Sequence, residues 1–84
     1  MEVKNEYIRN RKKRIVDLCK EKKMSLHKLA TESGVAPSTV KNIIYGKSTN
    51  PGIVTIKMLC DGMNITLTEF FDTEEFKNLE QEIF

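Results

Sequence analysis

The chain has 84 residues, enough for one small domain whose single hydrophobic core needs no metal or disulfide to hold it together. Its net charge of +2 conceals an asymmetry, because residues 1–47 carry a net charge of +7 and residues 48–84 a net charge of −5. No apolar run could cross a membrane and no signal-peptide core follows the charged start, so we expect a cytoplasmic protein in which Cys19 and Cys60 stay reduced.

The basic half of the chain favours a polyanionic partner, with the acidic half facing away from it. Its densest part is the run Arg11-Lys12-Lys13-Arg14. A solvated helix face accounts for such a run equally well, because four residues cover about one helical turn. The charge asymmetry therefore supports a nucleic-acid partner without establishing one.

The first predicted helix runs from about Tyr7 to Lys23, with Asn5 as its N-cap. Its apolar positions fall near one face, as expected of a helix that packs on a core. They are Ile8, Ile15, Leu18 and Cys19.

The second and third predicted helices are joined by a glycine turn. Ser25 is the expected N-cap of helix 2, which ends at Ser33-Gly34 because glycine adopts a positive φ without penalty. Ala30 is small where the next helix must cross, and Val35 fills the gap between the two helices.

Helix 3 is predicted from Ala36-Pro37 to Gly46, since proline suits the first turn of a helix. Val40, Ile43 and Ile44 form its buried stripe at spacing i, i+3, i+4. Two short helices joined in this way indicate a helix-turn-helix, which presents its second helix to the major groove of DNA.

After a loop at Lys47–Thr49, Asn50-Pro51 is the expected start of helix 4, as an N-cap followed by proline. We expect an apolar stripe of this helix to face inward. Its members are Ile53, Ile56, Leu59 and Cys60.

The last predicted helix of the domain follows a turn at Met63-Asn64-Ile65, where Asn64 tolerates the left-handed conformation. Thr66 caps this helix 5, whose apolar residues are Leu67, Phe70 and Phe71. The expected fold is thus all-α, a compact five-helix domain over residues 1–71.

Residues 72–84 form an acidic tail with a predicted short helix capped near Asp72 or Thr73. Phe76, Leu79 and Ile83 lie on one face of this helix, and a helix this short needs a packing partner. Two alternatives stay open. The face either packs on the domain's own helices or forms a homodimer contact.

The side of helix 3 opposite its buried stripe carries Ser38, Lys41, Asn42 and Tyr45. Asparagine pairs bidentately with adenine, serine donates or accepts, and lysine reaches guanine or phosphate. The alternative is that these side chains only keep a surface helix soluble. Phosphate contacts would come from Ser25 with the N–H groups of helix 2, and from the Lys47–Thr49 loop.

Enzymatic or metal chemistry has little support in the sequence. Cys19, Cys60 and His27 show no paired ligand spacing, and structural zinc normally takes four ligands. No nucleophile–base pairing or glycine-rich phosphate loop is visible. We therefore expect no enzyme, no metal and no cofactor.

Most of the chain, from Arg14 to Phe71, resembles the lambda-repressor/Cro-like (XRE-type) helix-turn-helix family. The segments that carry the resemblance are RIVDLCKEKKMS, LHKLATESGV, PSTVKNIIYGKSTNP and TIKMLCDGMNITLTEFF. The resemblance implies a transcription regulator of bacterial or phage type, usually dimeric on a palindromic operator. It implies base reading by Pro37, Ser38, Lys41 and Asn42, and phosphate contacts by Ser25, Tyr45, Lys47, Ser48 and Thr49.

The chain departs from the family pattern at three places. Leu26 stands where many relatives have a glutamine that supports the phosphate contact. Pro37 has no donor for a polar base contact, which leaves a thymine methyl group or the shape of the helix start as its role. Cys19 and Ile44 replace a buried Arg–Glu pair, and their joint change leaves no unpaired buried charge.

The sequence thus predicts a regulator that binds double-stranded DNA in a sequence-specific manner, with repression the expected effect and a homodimer the expected assembly. The alternative is a protein-interaction module of the same fold, such as an antitoxin or a regulator's partner, in which DNA binding is secondary. A basic reading face favours DNA, whereas an acidic or apolar face would favour the alternative.

Overall fold

The computed structural model describes residues 2–45 and 51–79, and within these ranges the chain forms six helices and no strand. The helices are α1 (Glu2–Glu21), α2 (Leu26–Ser33), α3 (Pro37–Ile44), α4 (Ile53–Gly62), α5 (Leu67–Phe71) and α6 (Glu74–Lys77). The all-α prediction is confirmed, including the short additional helix near the C-terminus.

Local capping chemistry explains where several helices begin. The Ser25 hydroxyl accepts a hydrogen bond from the Lys28 backbone N–H at 3.0 Å and caps α2 as predicted. Thr66 caps α5 in a reciprocal capping box with Glu69, both bonds measuring 3.0 Å. Asn64 precedes this cap in the left-handed conformation, with φ of 59°. These predictions are confirmed.

The predicted bounds of α1 are wrong at both ends. The helix begins at Glu2, so Asn5 lies inside it and is not its N-cap. It ends at Glu21, and Lys23 adopts a left-handed conformation with φ of 54°. Charged residues are compatible with both a helix and a loop, so the sequence pattern does not mark these ends.

The start of α4 also differs from the prediction. Its N-cap is Gly52, so Pro51 lies before the helix, and Asn50 lies outside the described residues. Ile53 is 62% exposed, so its predicted inward position is wrong. Periodicity identifies the face of a helix, but not how far the neighbouring helices extend along it.

The end of α3 lies before the predicted one. The helix ends at Ile44, and Gly46, its predicted last residue, lies outside the described residues.

The helices α1, α2, α3, α4 and α5 share one hydrophobic core. Within it, α2 packs against both α3 and α4, and α1 packs against α3. The core side chains are Ile15, Leu18, Cys19, Leu29, Ala30, Val40, Ile43, Ile44, Ile56, Leu59, Cys60, Met63 and Phe70. Most of them lie at the helical spacings seen in the sequence. The core therefore fixes the orientation of α3 relative to α1 and α2.

The C-terminal part of the structure is bound by hydrogen bonds and an ion pair to the basic residues 11–14 of α1. Arg14 donates through Nε to the Phe70 carbonyl at 2.8 Å and through Nη2 to the Glu69 carbonyl at 2.6 Å, at the end of α5. Lys13 pairs with the Glu75 carboxylate at 2.9 Å. Arg11 is buried, with its guanidinium carbon 5.4 Å from the centroid of the Tyr7 ring. Much of this run therefore has an intramolecular role.

Phe76 of α6 packs on its own chain. Its ring centroid lies 4.9 Å from that of Phe71 and 6.1 Å from those of Tyr7 and Phe70. The sequence left two alternatives for the tail, and the contacts of Phe76 correspond to the first, packing on the domain's own helices. Residues 72–79 thus lie against the domain, and a functional division at residue 71 stays a prediction.

Candidate nucleic-acid interface

The α2–α3 connection sets the position of the candidate reading helix. Gly34 ends α2 in the left-handed conformation with φ of 68°, and the Val35 N–H donates to the Ala30 carbonyl at 3.1 Å. Val35 packs against the core, and Pro37 opens α3. This is the predicted helix-turn-helix, with a turn held by backbone hydrogen bonds rather than by flexible side chains.

The faces of α3 divide as the sequence predicts. Val40, Ile43 and Ile44 are buried, with 1%, 0% and 7% of their surface exposed. The opposite face is open to solvent over two turns. Its exposed residues are Pro37, Ser38, Lys41, Asn42 and Tyr45. The predicted exposure of Ser38, Lys41, Asn42 and Tyr45 is confirmed, and Pro37 is exposed as well. The roles of all five toward DNA stay predictions.

A hollow of about 410 Å³ lies beside this face, between the end of α1, the start of α2 and the end of α3. It brings together Ser25 and Tyr45, two of the predicted phosphate contacts, which are twenty residues apart in the sequence. Lys20 also lines it. This α1–α3 hollow therefore joins three polar side chains, from the last turn of α1, the N-cap of α2 and the C-cap of α3.

Lys20 is a candidate that the sequence reasoning missed. It is exposed in the last turn of α1, and only the folded structure places it near Ser25 and Tyr45. A signal was present, because Lys20 follows the core residue Cys19 directly on a helix that leads into the Ser25 cap. Periodicity gives the face of Lys20, but its neighbours depend on how α1 packs against α3.

The floor of the α1–α3 hollow is apolar. The lining of the hollow includes Cys19, Leu26 and Ile44, three of the four residues at which the sequence is expected to depart from the family pattern. Burial raises the pKa of the Cys19 thiol, so it stays protonated and uncharged near neutral pH. The Cys60 thiol in the core has a raised pKa for the same reason.

Four lysines have a carboxylate partner, namely Lys13, Lys28, Lys57 and Lys77. Other cations form no ion pair with any described residue, and they include Arg9, Lys12, Lys20, Lys22, Lys23 and Lys41. Of these, Lys41 lies on the exposed face of α3 and Lys20 lines the α1–α3 hollow. Unpaired cations beside an exposed polar helix face give a local positive potential suited to phosphates.

Some predicted site residues lie outside the described ranges. These are the phosphate candidates Lys47, Ser48 and Thr49, together with Ile83 from the predicted dimer contact. Leu79, the remaining member of that contact, is half-buried, and its N–H donates to the Phe76 carbonyl at 3.4 Å. The dimer contact through these residues stays a prediction.

Residues 2–45 and 51–79 contain neither a candidate metal cluster nor a candidate membrane-spanning helix. No group of three or more His, Cys, Asp or Glu residues there could hold a metal ion. His27 is exposed on α2. None of the described helices is both long and apolar enough to cross a bilayer.

The fold and the α3 face define a helix-turn-helix protein of the DNA-binding type. Residues 14–75 match the family model of the Cro/C1-type HTH DNA-binding domain, and the chain belongs to this family. Among curated proteins it is similar to the HTH-type transcriptional regulator SlrR of Bacillus subtilis (strain 168), with 39% identity over 62 residues. That match covers 73% of this chain and 41% of SlrR, so the similar region is less than half of that protein. No solved structure shows significant similarity to the chain.

Proposed function

We propose that this chain binds double-stranded DNA through α3 in the major groove and regulates transcription, with repression as its effect. The observation that carries the proposal is the open polar face of α3 beside Lys20 and Lys41, which have no ion-pair partner among the described residues. Membership of a DNA-binding domain family supports it, as does the similarity to a protein named as a transcriptional regulator.

The residues of α3 take distinct roles in this proposal. Asn42 and Ser38 point from one exposed side of α3 and read base edges by hydrogen bonding. Lys41 reaches a guanine or a neighbouring phosphate, and Pro37 makes an apolar contact with a thymine methyl group.

The DNA backbone binds along the α1–α3 hollow. Ser25, Tyr45 and Lys20 surround this hollow, and the first N–H groups of α2 have no acceptor within the helix. The cation and the N–H groups hold the phosphate, while the apolar floor accommodates the sugar. Lys47, Ser48 and Thr49 complete the backbone contacts in this proposal.

The protein acts as a homodimer, because a single recognition helix covers only a few base pairs and discriminates modestly against genomic DNA. Two copies related by a two-fold axis read half-sites about 34–36 Å apart, one turn of the double helix. A palindromic operator follows from this symmetry.

Selection of bound sequences from random duplexes tests the reading face. Asn42→Ala is expected to weaken binding to the selected site by about 1–3 kcal/mol and to relax base preference at one position in each half-site. The matched control is Asn78→Ala, because Asn78 is an exposed asparagine at the end of α6.

The control variant is expected to keep both the selected sequence and the affinity. If Asn42→Ala kept them as well, α3 would not read bases through this face. If the unaltered chain selected no sequence, the proposal of a DNA-binding regulator would fail and a protein-interaction module would take its place.

A further inference from the structure

The α1–α3 hollow has the size and the lining of a small-molecule binding site. Its volume of about 410 Å³ falls within the range of ligand pockets, about 300–1,000 Å³. The buried residues Cys19 and Ile44 form its floor, being 5% and 7% exposed. The half-buried residues Val16, Met24 and Leu26 extend the apolar surface from this floor toward the solvent.

This apolar surface is larger than a DNA backbone requires. The outer surface of a DNA backbone consists largely of phosphate oxygens, which gain nothing from contact with apolar side chains. An aliphatic chain, by contrast, leaves water when it enters such a hollow, and its binding gains in proportion to the apolar area buried. The floor and walls of the hollow therefore favour a ligand with an aliphatic part.

The exposed edge of the hollow favours a negatively charged group. Lys20 lies there with no ion-pair partner among the described residues, together with the polar side chains of Ser25 and Tyr45. No aspartate or glutamate is among the residues that line the hollow. The start of α2 adds to the positive potential, because its first turn contains no acidic residue and its first N–H groups point outward from the helix.

We infer that the α1–α3 hollow binds a small amphiphilic carboxylate, with its aliphatic chain on the apolar floor and its carboxylate group beside Lys20. A cationic amphiphile would be repelled by Lys20, and a short carboxylate would bury too little apolar surface. The regulatory consequence rests on the proposed function. Because the bound carboxylate occupies the place of a DNA phosphate, it releases the chain from its operator.

Titration of the ¹⁵N-labelled 84-residue chain with sodium octanoate, in the absence of DNA, tests the site. Amide chemical shifts are expected to change around the hollow, including those of Lys20, Leu26 and Ile44. From butyrate through hexanoate to octanoate, each added methylene group is expected to tighten binding about twofold to fourfold. Octylammonium, which has the same chain and the opposite charge, is expected to leave these shifts unchanged. Equal affinity along the series, shift changes only elsewhere, or binding of octylammonium at the hollow would overturn the inference.

Substitution of Lys20 tests the contact with the carboxylate group. Lys20→Gln is expected to raise the octanoate dissociation constant about threefold or more, and it should not affect folding because Lys20 is exposed. The matched control is Lys22→Gln, since Lys22 is an exposed lysine two residues further along that does not line the hollow. The control variant is expected to bind octanoate as the unaltered chain does.

Substitution of Leu26 tests the contact with the aliphatic chain. Leu26→Gln places an amide in the apolar wall and is expected to raise the octanoate dissociation constant about threefold or more. Val54→Gln is its control, because Val54 is an exposed aliphatic residue of α4 outside the hollow. Circular dichroism compares the helix content of all four variants. Octanoate binding that is insensitive to both Lys20→Gln and Leu26→Gln would overturn the inference.

Fluorescence anisotropy with the selected duplex tests the regulatory consequence. Octanoate at ten times its dissociation constant is expected to raise the apparent dissociation constant for DNA about tenfold, since the two ligands exclude each other. Sodium acetate at the same concentration is the control, because it adds the same ionic strength without the aliphatic chain. An octanoate effect no larger than that of acetate would overturn the inference. If the chain bound no duplex at all, the proposed function would fail, and the titration without DNA would still decide whether the hollow binds carboxylates.

Discussion

At the scale of single residues, Gly62 determines how closely α4 approaches α2. A Cβ atom at this position would lie 2.0 Å from the Ser33 hydroxyl oxygen and 2.9 Å from the Ser33 backbone nitrogen. The Ser33 side chain could rotate away from the added atom, but the backbone of α2 could not move without disturbing the packing. The absence of a side chain at Gly62 therefore permits the close crossing that places α2, and α3 with it.

Gly62→Ala is expected to lower the free energy of unfolding by about 1–3 kcal/mol, because the overpacked crossing must open. Chemical denaturation followed by circular dichroism measures this change. Gly52→Ala is the control, since a Cβ atom there has no neighbour within 4 Å and φ is −67°. Equal stability of the two variants would show that the crossing tolerates the added carbon.

At the scale of helices, α6 is a four-residue element held by specific contacts with α1. Lys13 pairs with the Glu75 carboxylate, Asn10 donates to the Glu75 carbonyl at 3.2 Å, and Thr73 caps the helix. A helix this short has little stability of its own. Its position therefore depends on these bonds and on the Phe76 ring contacts.

The Lys13 ammonium group lowers the pKa of Glu75 from its ordinary value of 4.5, mainly through their hydrogen bond. The unfolded chain then binds more protons than the folded chain in this range, so stability rises with pH. The contribution of Glu75 to the free energy of unfolding is present above pH 4.5 and is lost as the pH falls through the pKa that Glu75 has in the folded chain. The same bond raises the pKa of Lys13, so its contribution is lost only in strong alkali.

As the pH falls from about 5 to about 3, the Glu75→Gln variant is therefore expected to lose less free energy of unfolding than the unaltered chain does. Denaturation curves at several pH values, compared with the unaltered chain, measure the effect. Glu74→Gln serves as the control, because Glu74 is exposed on the same helix and pairs with no described cation. If both variants followed the unaltered chain, the Lys13–Glu75 pair would not contribute to stability in solution.

At the scale of the whole molecule, the charge asymmetry of the sequence has two parts. One part is neutralised internally, as Lys13 pairs with Glu75 and Arg14 binds the carbonyl groups at the end of α5. The other part consists of cations that have no carboxylate partner among the described residues, and two of these, Lys20 and Lys41, lie at the α1–α3 hollow and on the α3 face. The net charge of a segment thus gives an incomplete guide to which face binds a polyanion.

Features set by short stretches of sequence could be predicted. The Ser25 and Thr66 caps, the Gly34 turn and the buried stripe of α3 each depend on a few neighbouring residues. The exposed face of α3 follows from the same periodicity. For this reason the sequence predicts the helix-turn-helix and the exposed face of α3, while the DNA contacts on that face stay predictions.

Features set by packing between distant segments could not be predicted. Arg11 is buried although arginine usually stays at the surface, and Ile53 is exposed although isoleucine is usually inside. Lys20 joins the candidate interface only because α1 packs against α3. Each outcome depends on which helix covers which face, and local pattern carries no such information.

The salt dependence of duplex binding tests the central claim, that the α3 face and its unpaired cations bind DNA. Fluorescence anisotropy of the 84-residue chain with its selected duplex, over a range of salt concentrations, is expected to give a steep linear fall of log K with log salt. Each of Lys20→Ala and Lys41→Ala should make the slope shallower by about one unit, because one phosphate contact is lost. Lys57→Ala should leave the slope unchanged, since Lys57 pairs with Asp61 on α4. A flat salt response, or equal slopes for all three variants, would contradict the account.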